Sequence, residues 1–298
     1  DEYEKESYGD FALWKAWDAS DGDVVWESPW GRGRPGWHLE CSAMSMRYLG
    51  ETFDLHTGGI DNLFPHHENE IAQAEGATGK PFVTYWMHCA HLRVNGEKMS
   101  KSLGNFFTLR DLVDKGWSGR EIRTVLINGH YRQALNFTFD ALDAARAALA
   151  RVDECVDALG ERAAGAAPAV DVPAWAAEAR DAFAAAVNDD LNMPEAFAAL
   201  FALVRGSNSA LRAGALAATD AAALLALADR MDSVLGVIRF GRADRAEAVP
   251  AAVTALAEAR AAARAAKDWA ESDRLRDELA TKGWEVRDSK EGQKLKKL

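Results

Sequence analysis

The chain has 298 residues, 48% of them hydrophobic, with a formal net charge of -11 and three widely spaced cysteines, Cys41, Cys89 and Cys155. That length allows two or three modest domains, and the sequence holds no apolar run long enough to span a bilayer. The sparse cysteines argue against a disulfide framework, and the acidic balance gives no general footprint for nucleic acid, since neutralising phosphates takes Lys and Arg.

The first residues, Asp1-Glu2-Tyr3-Glu4-Lys5-Glu6, are unlike a basic, apolar signal peptide, and the reading is cytoplasmic. Trp14, Trp17, Trp26 and Trp30 are expected to pack inside. Ser28 to Gly36 is too rich in Gly and Pro for a helix or a central strand and reads as a structured loop. Glu40 to Tyr48 reads as a helix with Met44, Met46 and Leu49 on its packed side. Phe53 to His56 reads as a strand that Gly58-Gly59 breaks. A second helix starts near Pro65, which suits a first turn. Tyr85 to His88 and Leu92 to Val94 read as strands, so the first part of the chain alternates strand and helix, the pattern of an α/β layer with a parallel sheet.

From Thr108 the apolar residues recur at helical spacing. Helices are predicted over Leu109–Val113 and Ile122–Ile127, from Phe137 through Leu159, and over Trp175–Val187, Pro194–Ser207 and Ala221–Leu235. Gly160 to Pro173 and Phe240 to Pro250 read as linkers. A second Ala/Arg/Glu-rich helical pair follows, ending in a strand-like turn at Lys282 to Val286. The fold class expected is therefore α/β followed by an all-α bundle and a small C-terminal module.

Two stretches carry chemistry. His66 and Glu70 are four residues apart, so on a helix they share one face. With Cys41 from another element they supply imidazole, carboxylate and thiolate, a plausible zinc set with a position open for substrate or a further ligand. His67 and Glu68 are expected to point away from the His66 face, with His67 available to support the ligands from behind. The bland alternative keeps Cys41 as a small buried hydrophobe and His66 as a helix-start histidine. The second stretch is Lys98-Met99-Ser100-Lys101-Ser102, two lysines three apart in a polar loop flanked by Gly96 and Gly104. Such ammonium groups can hold the β- and γ-phosphates of ATP; ordinary solvated lysines are the competing reading.

Taken together, these motifs resemble those of the cysteinyl-tRNA synthetases, a class I aminoacyl-tRNA synthetase family. The resemblance runs from about Asp10 to about Gly292. It rests on Trp26-Glu27-Ser28-Pro29-Trp30-Gly31, Gly33 to Met44, Gly58-Gly59-Ile60-Asp61, Phe64 to Glu70, Lys98 to Ser102, and His130-Tyr131-Arg132 with Leu135 to Thr138. It implies ATP-dependent activation of L-cysteine to cysteinyl-adenylate and transfer to tRNA(Cys), in a cytoplasmic monomer that uses one Zn2+ together with ATP and Mg2+. It implies Cys41, His66 and Glu70 as metal ligands, Trp37 and His56 as the substrate cysteine pocket, Gly58, Gly59 and Asp61 beside the adenosine, and Lys101, assisted by Lys98, on the phosphates. The domains implied are 1–107, the C-terminal part of a Rossmann-type catalytic domain; 108–136, a connecting helical region; 137–240, an anticodon-binding bundle; and 241–298, a linker and small tRNA-contacting module. Arg123 sits where the family joins helices.

The family's His-Ile-Gly-His motif and its further zinc cysteine are not in this sequence. The expectation is a chain that starts within the catalytic domain, holds zinc weakly and makes no adenylate alone. His88-Cys89-Ala90-His91 lies just before the lysine loop and is read as a decoy, with His88 free to face the nucleotide and Cys89 not a ligand. Two other functions fit part of the pattern: a ligase joining cysteine to an amino sugar, as in mycothiol synthesis, and a non-catalytic tRNA-binding remnant.

Overall fold

The computed structural model of the chain describes residues 9–238, 251–289 and 292–297. Contacts divide the chain after Ile238 into two units.

The first unit opens on a small antiparallel ribbon of β1 (Trp14–Ala16) and β2 (Gly33–Pro35). The glycine-rich stretch read as loop thus includes a strand. Its glycines permit a close approach: a Cβ on Gly33 would lie 2.1 Å from the Lys15 carbonyl oxygen, and one on Gly36 would lie 1.9 Å from that of Ala12. Gly36 then starts α1 (Trp37–Leu49), three residues earlier than expected. Trp17, Trp26 and Trp30 do not pack as expected, being 38%, 55% and 78% exposed, whereas Trp14 is half-buried. Nor do Met44 and Leu49, which face solvent because the buried side of α1 is polar, made by His38 and Ser42.

A βαβ unit follows. β3 (Phe53–Gly59) and β4 (Val83–Cys89) pair in parallel, in register from Phe53 opposite Val83 to Gly59 opposite Cys89, and α2 (Glu68–Thr78) connects them. β3 runs straight through the glycines expected to break it. A Cβ on Gly58 would lie 2.6 Å from Cε1 of His67, so glycine is what lets the strand pass beneath that ring. Before α2, residues Leu63–His67 form a wide π-type turn with Phe64 in extended conformation and a cis Phe64–Pro65 bond.

Next, β5 (Leu92–Val94) pairs antiparallel with β6 (Glu97–Lys98) and parallel with β7 (Leu135–Phe137). Between β6 and β7 lie α3 (Leu109–Asp114) and α4 (Gly119–Ile127), each started by a capping box, Thr108 with Asp111 and Ser118 with Glu121. Val94, Leu112, Ile122, Val125, Phe137 and Leu142 form the core here, and Met99 and Phe107 rest on it.

Four helices complete the unit: α5 (Phe139–Ala163), α6 (Ala174–Asn188), α7 (Met193–Arg212) and α8 (Ala218–Leu235). Phe137, read as the helix start, belongs to β7, and Thr138 is the cap that opens α5. The bundle core runs from Leu149 to Ile238 and is aliphatic apart from Phe183, Phe197, Met231 and Cys155. Nε of Arg123 donates to the Leu235 carbonyl at 2.6 Å, tying α4 to the last turn of α8.

The second unit holds α9 (Ala251–Ala265), α10 (Trp269–Thr281) and a hairpin of β8 (Trp284–Ser289) with β9 (Gly292–Lys297). Val253, Ala257, Leu279 and Val286 make its core. The linker read at Phe240 to Pro250 lies outside the described residues. Among the described residues no helix is long and apolar enough to cross a membrane.

Candidate metal centre and lysine loop

Cys41 comes from the second turn of α1, His66 from the turn before α2 and Glu70 from the first turn of α2. One ligand atom from each lies within 4.8 Å of the others, with His66 and Glu70 buried and Cys41 half-buried. Helix α1 packs on α2, which brings the thiol to the histidine–carboxylate pair.

The pair itself is informative. Nε2 of His66 is 2.7 Å from Oε1 of Glu70, yet that oxygen, fully buried, has no hydrogen-bond partner. The two atoms are close without the alignment a hydrogen bond needs, as lone pairs are when they face a common point. An orphaned buried carboxylate oxygen is costly, and a cation bound to sulfur, nitrogen and oxygen together would satisfy it. The donor set fits zinc.

The surroundings orient these donors. Nδ1 of His66 meets Nδ1 of His38 at 2.6 Å. In the tautomer where His66 donates this bond, its Nε2 is left bare toward Glu70. The other oxygen of Glu70, Oε2, is 2.8 Å from Nε2 of His56 on β3. Trp37 stacks on the His66 ring at 4.2 Å while staying 53% exposed, so it walls one side of the cluster. Burial, with Glu70 and Glu40 nearby, raises the Cys41 thiol. Burial also lowers His66, against the pull of Glu70. A metal would displace a proton from the first and find the second already neutral.

His67 departs from the sequence reading. It is buried rather than turned away, because the π-type turn puts successive histidines both on the inner side. Its Nδ1 meets Nε2 of His88 at 2.7 Å, and its ring lies 4.8 Å from Trp86. Burial, then His56 and His88, push it down to about 4, so it is neutral at ordinary pH. His56, His67 and Glu70 form a second set of potential ligand atoms that shares Glu70 with the first. His38, His67 and His88 are the members that sequence reasoning missed or misplaced. A period-two signal was available for one: Trp86 and His88 alternate on β4 opposite His56 and Gly58 on β3. Cys89 is exposed and belongs to neither ligand set.

Gly58 and Gly59 end β3, and Asp61 sits in the turn just beyond, its Oδ1 2.3 Å from where a Gly59 Cβ would stand. The lysine loop belongs to a different sheet. Lys98 ends β6, and Lys101 follows in the turn, both exposed, while Met99 between them rests on the core of α3, α4 and β7. The Lys101 ammonium lies 5.6 Å over the Phe106 ring. The structure thus gathers Cys41, His66, Glu70, Trp37 and His56 into one cluster and presents Lys98 and Lys101 on a separate loop.

Comparison with known proteins agrees along most of the chain. The family described as the class I (C) tRNA synthetase catalytic domain matches residues 1–147, the DALR domain matches 182–239, and the cysteinyl-tRNA ligase anticodon binding domain matches 246–294. A cysteine–tRNA ligase of Chlamydia muridarum (strain MoPn / Nigg) is 47% identical over 314 residues, covering 100% of this chain and 64% of that protein. One from Protochlamydia amoebophila (strain UWE25) is 45% identical and covers 100% of this chain and 62% of that protein. The chain therefore spans a little under two thirds of the length of these curated relatives. Among solved structures, the LeuRS of Agrobacterium radiobacter K84, in a ternary complex, shares the fold with a TM-score of 0.55 at 17% identity, over 72% of this chain and 32% of that one.

Proposed function

Since the chain belongs to the cysteine–tRNA ligase family of class I synthetases, we propose that it carries the thiol-selecting and phosphate-handling parts of an enzyme that activates L-cysteine with ATP and transfers it to tRNA(Cys). The observation that carries this reading is the meeting of Cys41, His66 and Glu70 around an unsatisfied buried carboxylate oxygen.

In this reading Cys41, His66 and Glu70 hold one zinc ion. When bound, zinc supplies a soft acid that takes a thiolate far more readily than an alcohol, which separates cysteine from serine where an apolar pocket would do so poorly. His38 and His56 fix the orientation of His66 and Glu70. Trp37 and His56 flank the substrate side chain. Gly58, Gly59 and Asp61 lie beside the adenosine. As the substrate carboxylate attacks the α-phosphate and the bond to the β-phosphate breaks, Lys98 and Lys101 take up charge on the departing pyrophosphate; Mg2+ carried in with the nucleotide would add to that neutralisation. The proposal extends to a cytoplasmic monomer with a catalytic portion at 1–107, a connecting region at 108–136, an anticodon-binding bundle at 137–240 and a tRNA-contacting module at 241–298. The break in contacts after Ile238 supports the last boundary.

The test is a cobalt titration. Co2+ bound through Cys41 gives a sulfur-to-cobalt charge-transfer band, which C41S loses. Adding L-cysteine strengthens the band and adding L-serine leaves it unchanged. A chain that binds Co2+ equally with and without the Cys41 thiol, or that responds alike to both amino acids, overturns the reading.

A further inference from the structure

One side chain ties the lysine loop together across its mouth. Oδ1 of Asn105 accepts from the backbone N–H of Ser100 at 2.8 Å, and Nδ2 of Asn105 donates to the Lys98 carbonyl at 3.1 Å. One amide thus satisfies a donor and an acceptor across the mouth of the loop, as a neighbouring strand would. The two bonds also fix which way round the amide sits.

The rest of the loop is arranged about this tie. Met99 is anchored on the apolar core beneath. Ser100 Oγ accepts from the Ser102 N–H at 3.2 Å and shares a hydrogen with Ser102 Oγ at 2.7 Å, and the Gly104 N–H donates to the Lys101 carbonyl at 3.2 Å. At the entrance, the Gly96 N–H donates to Oδ1 of Asn136 on β7 at 2.6 Å. Lys101, meanwhile, rests over Phe106, the residue next to Asn105. Backbone on both sides of Met99 is pinned, while the two ammonium groups project into solvent.

We propose that Asn105 is the positioning residue of this loop: it sets the resting shape from which Lys98 and Lys101 meet a polyphosphate. The proposal rests on the phosphate-handling reading of the loop. The requirement for asparagine is chemical. Aspartate keeps the acceptor for Ser100 but has no donor for Lys98. Alanine has neither, and glutamine carries the amide one methylene too far. With the latch gone, Met99 still anchors the middle of the loop, but its ends open independently, and the lysines lose the fixed span that lets two cations act on one ligand.

Trypsin reads the latch directly, because it cuts after Lys98 and Lys101 only when the loop opens. In the full chain, N105A speeds cleavage at these two sites by roughly tenfold, the effect of losing two solvent-accessible hydrogen bonds, and N105D falls between N105A and the native chain. Thermal midpoint and cleavage elsewhere stay the same in all three. Inorganic pyrophosphate shields both sites in the native chain, and N105A needs roughly tenfold more of it for equal protection. Equal cleavage of N105A and the native chain overturns the proposal, and so does protection at an unchanged pyrophosphate concentration. A global loss of stability in N105A is set aside by N105D, whose graded position is diagnostic. If pyrophosphate shields no chain at all, the phosphate reading falls, and the cleavage ladder without ligand still decides whether Asn105 is the latch.

Discussion

Between Gly36 and Thr78 the buried side chains are His38, Ser42, His66, His67, Asn69, Glu70 and Gln73, with Ala74 the single apolar one. Between Leu149 and Ile238 they are almost all aliphatic and join in one continuous core. The bundle is held by removal of apolar surface from water, an additive and non-directional term. The layer around the candidate site is held by oriented polar bonds: His38 to His66, Ser42 Oγ to Gln73 Oε1 at 2.8 Å, and His56 to Glu70. Such a network is worth much when every member is satisfied and becomes a liability when one is not. The bundle should therefore respond to cavities and be indifferent to the metal, and the site layer the reverse.

The largest effect tests the bundle half of this contrast. Leu224 is fully buried in the core, and Leu224→Ala is expected to cost about 2–5 kcal/mol, read as a lowered midpoint in urea or heat. Co2+ affinity should be unchanged; a fall in affinity would show that the site layer leans on the bundle.

Zinc tests the other half. At a free concentration a hundredfold above its Kd, the ion adds about 2.7 kcal/mol to the region that binds it. Hydrogen exchange should slow in α1 and α2 and not in α6 or α7, and Cys41→Ser should abolish the effect. Uniform slowing would erase the distinction between the regions.

Gly206 sharpens the comparison at one position of α7. A Cβ there would lie 2.3 Å from Cε3 of Trp175 on α6, so Gly206→Ala is expected to cost about 1–3 kcal/mol through overpacking. A neutral result would mean that the α6–α7 seam is looser than a jigsaw core.

The smallest effect lies at the edge of the bundle, where the segment before β7 meets it. Tyr131 and Arg132, just before β7, both bind Asp190 in the α6–α7 turn. Arg132 first, then Tyr131, hold the Asp190 carboxyl down to about 2, against an ordinary 3.8. A depressed carboxyl stabilises the fold fully above the ordinary value, and the contribution fades as pH falls from there through about 2. Asp190→Asn should lower stability near neutrality, modestly because the pair is solvent-exposed, and flatten the acid part of the profile, so that the two chains converge as pH falls through about 2.

The bundle was legible because its signals are local. The 3.6-residue period lies within one turn of what it specifies, and it placed the starts of α5 and α7 within two residues, although the Thr138 and Asn192 caps went unread. The His66–Glu70 face was legible for the same reason. The layer around them was not. β3 continues through Gly58-Gly59 because of a ring that approaches from another element. Met44 and Leu49 look like core residues on α1, but that helix buries its polar side. His67 turns inward because the chain takes a π-type turn, in which the 3.6-residue rule does not apply. Each miss is a tertiary fact written in polar residues, for which hydrophobic periodicity is silent.

The approach of Gly58 to His67 also constrains the order in which this sequence can change. Gly58 lies outside the left-handed backbone region, and the main obstacle to a side chain there is the His67 imidazole, 2.6 Å from the missing Cβ, with Nδ2 of Asn62 a lesser one at 3.3 Å. Alanine at position 58 is thus closed while His67 stands and opens once His67 is replaced by something smaller. The two positions form a one-way gate: substitutions accepted in one order are rejected in the other. A double-mutant cycle on Gly58→Ala and His67→Ala should show strong positive coupling, with the double variant closer to the native chain than Gly58→Ala by itself.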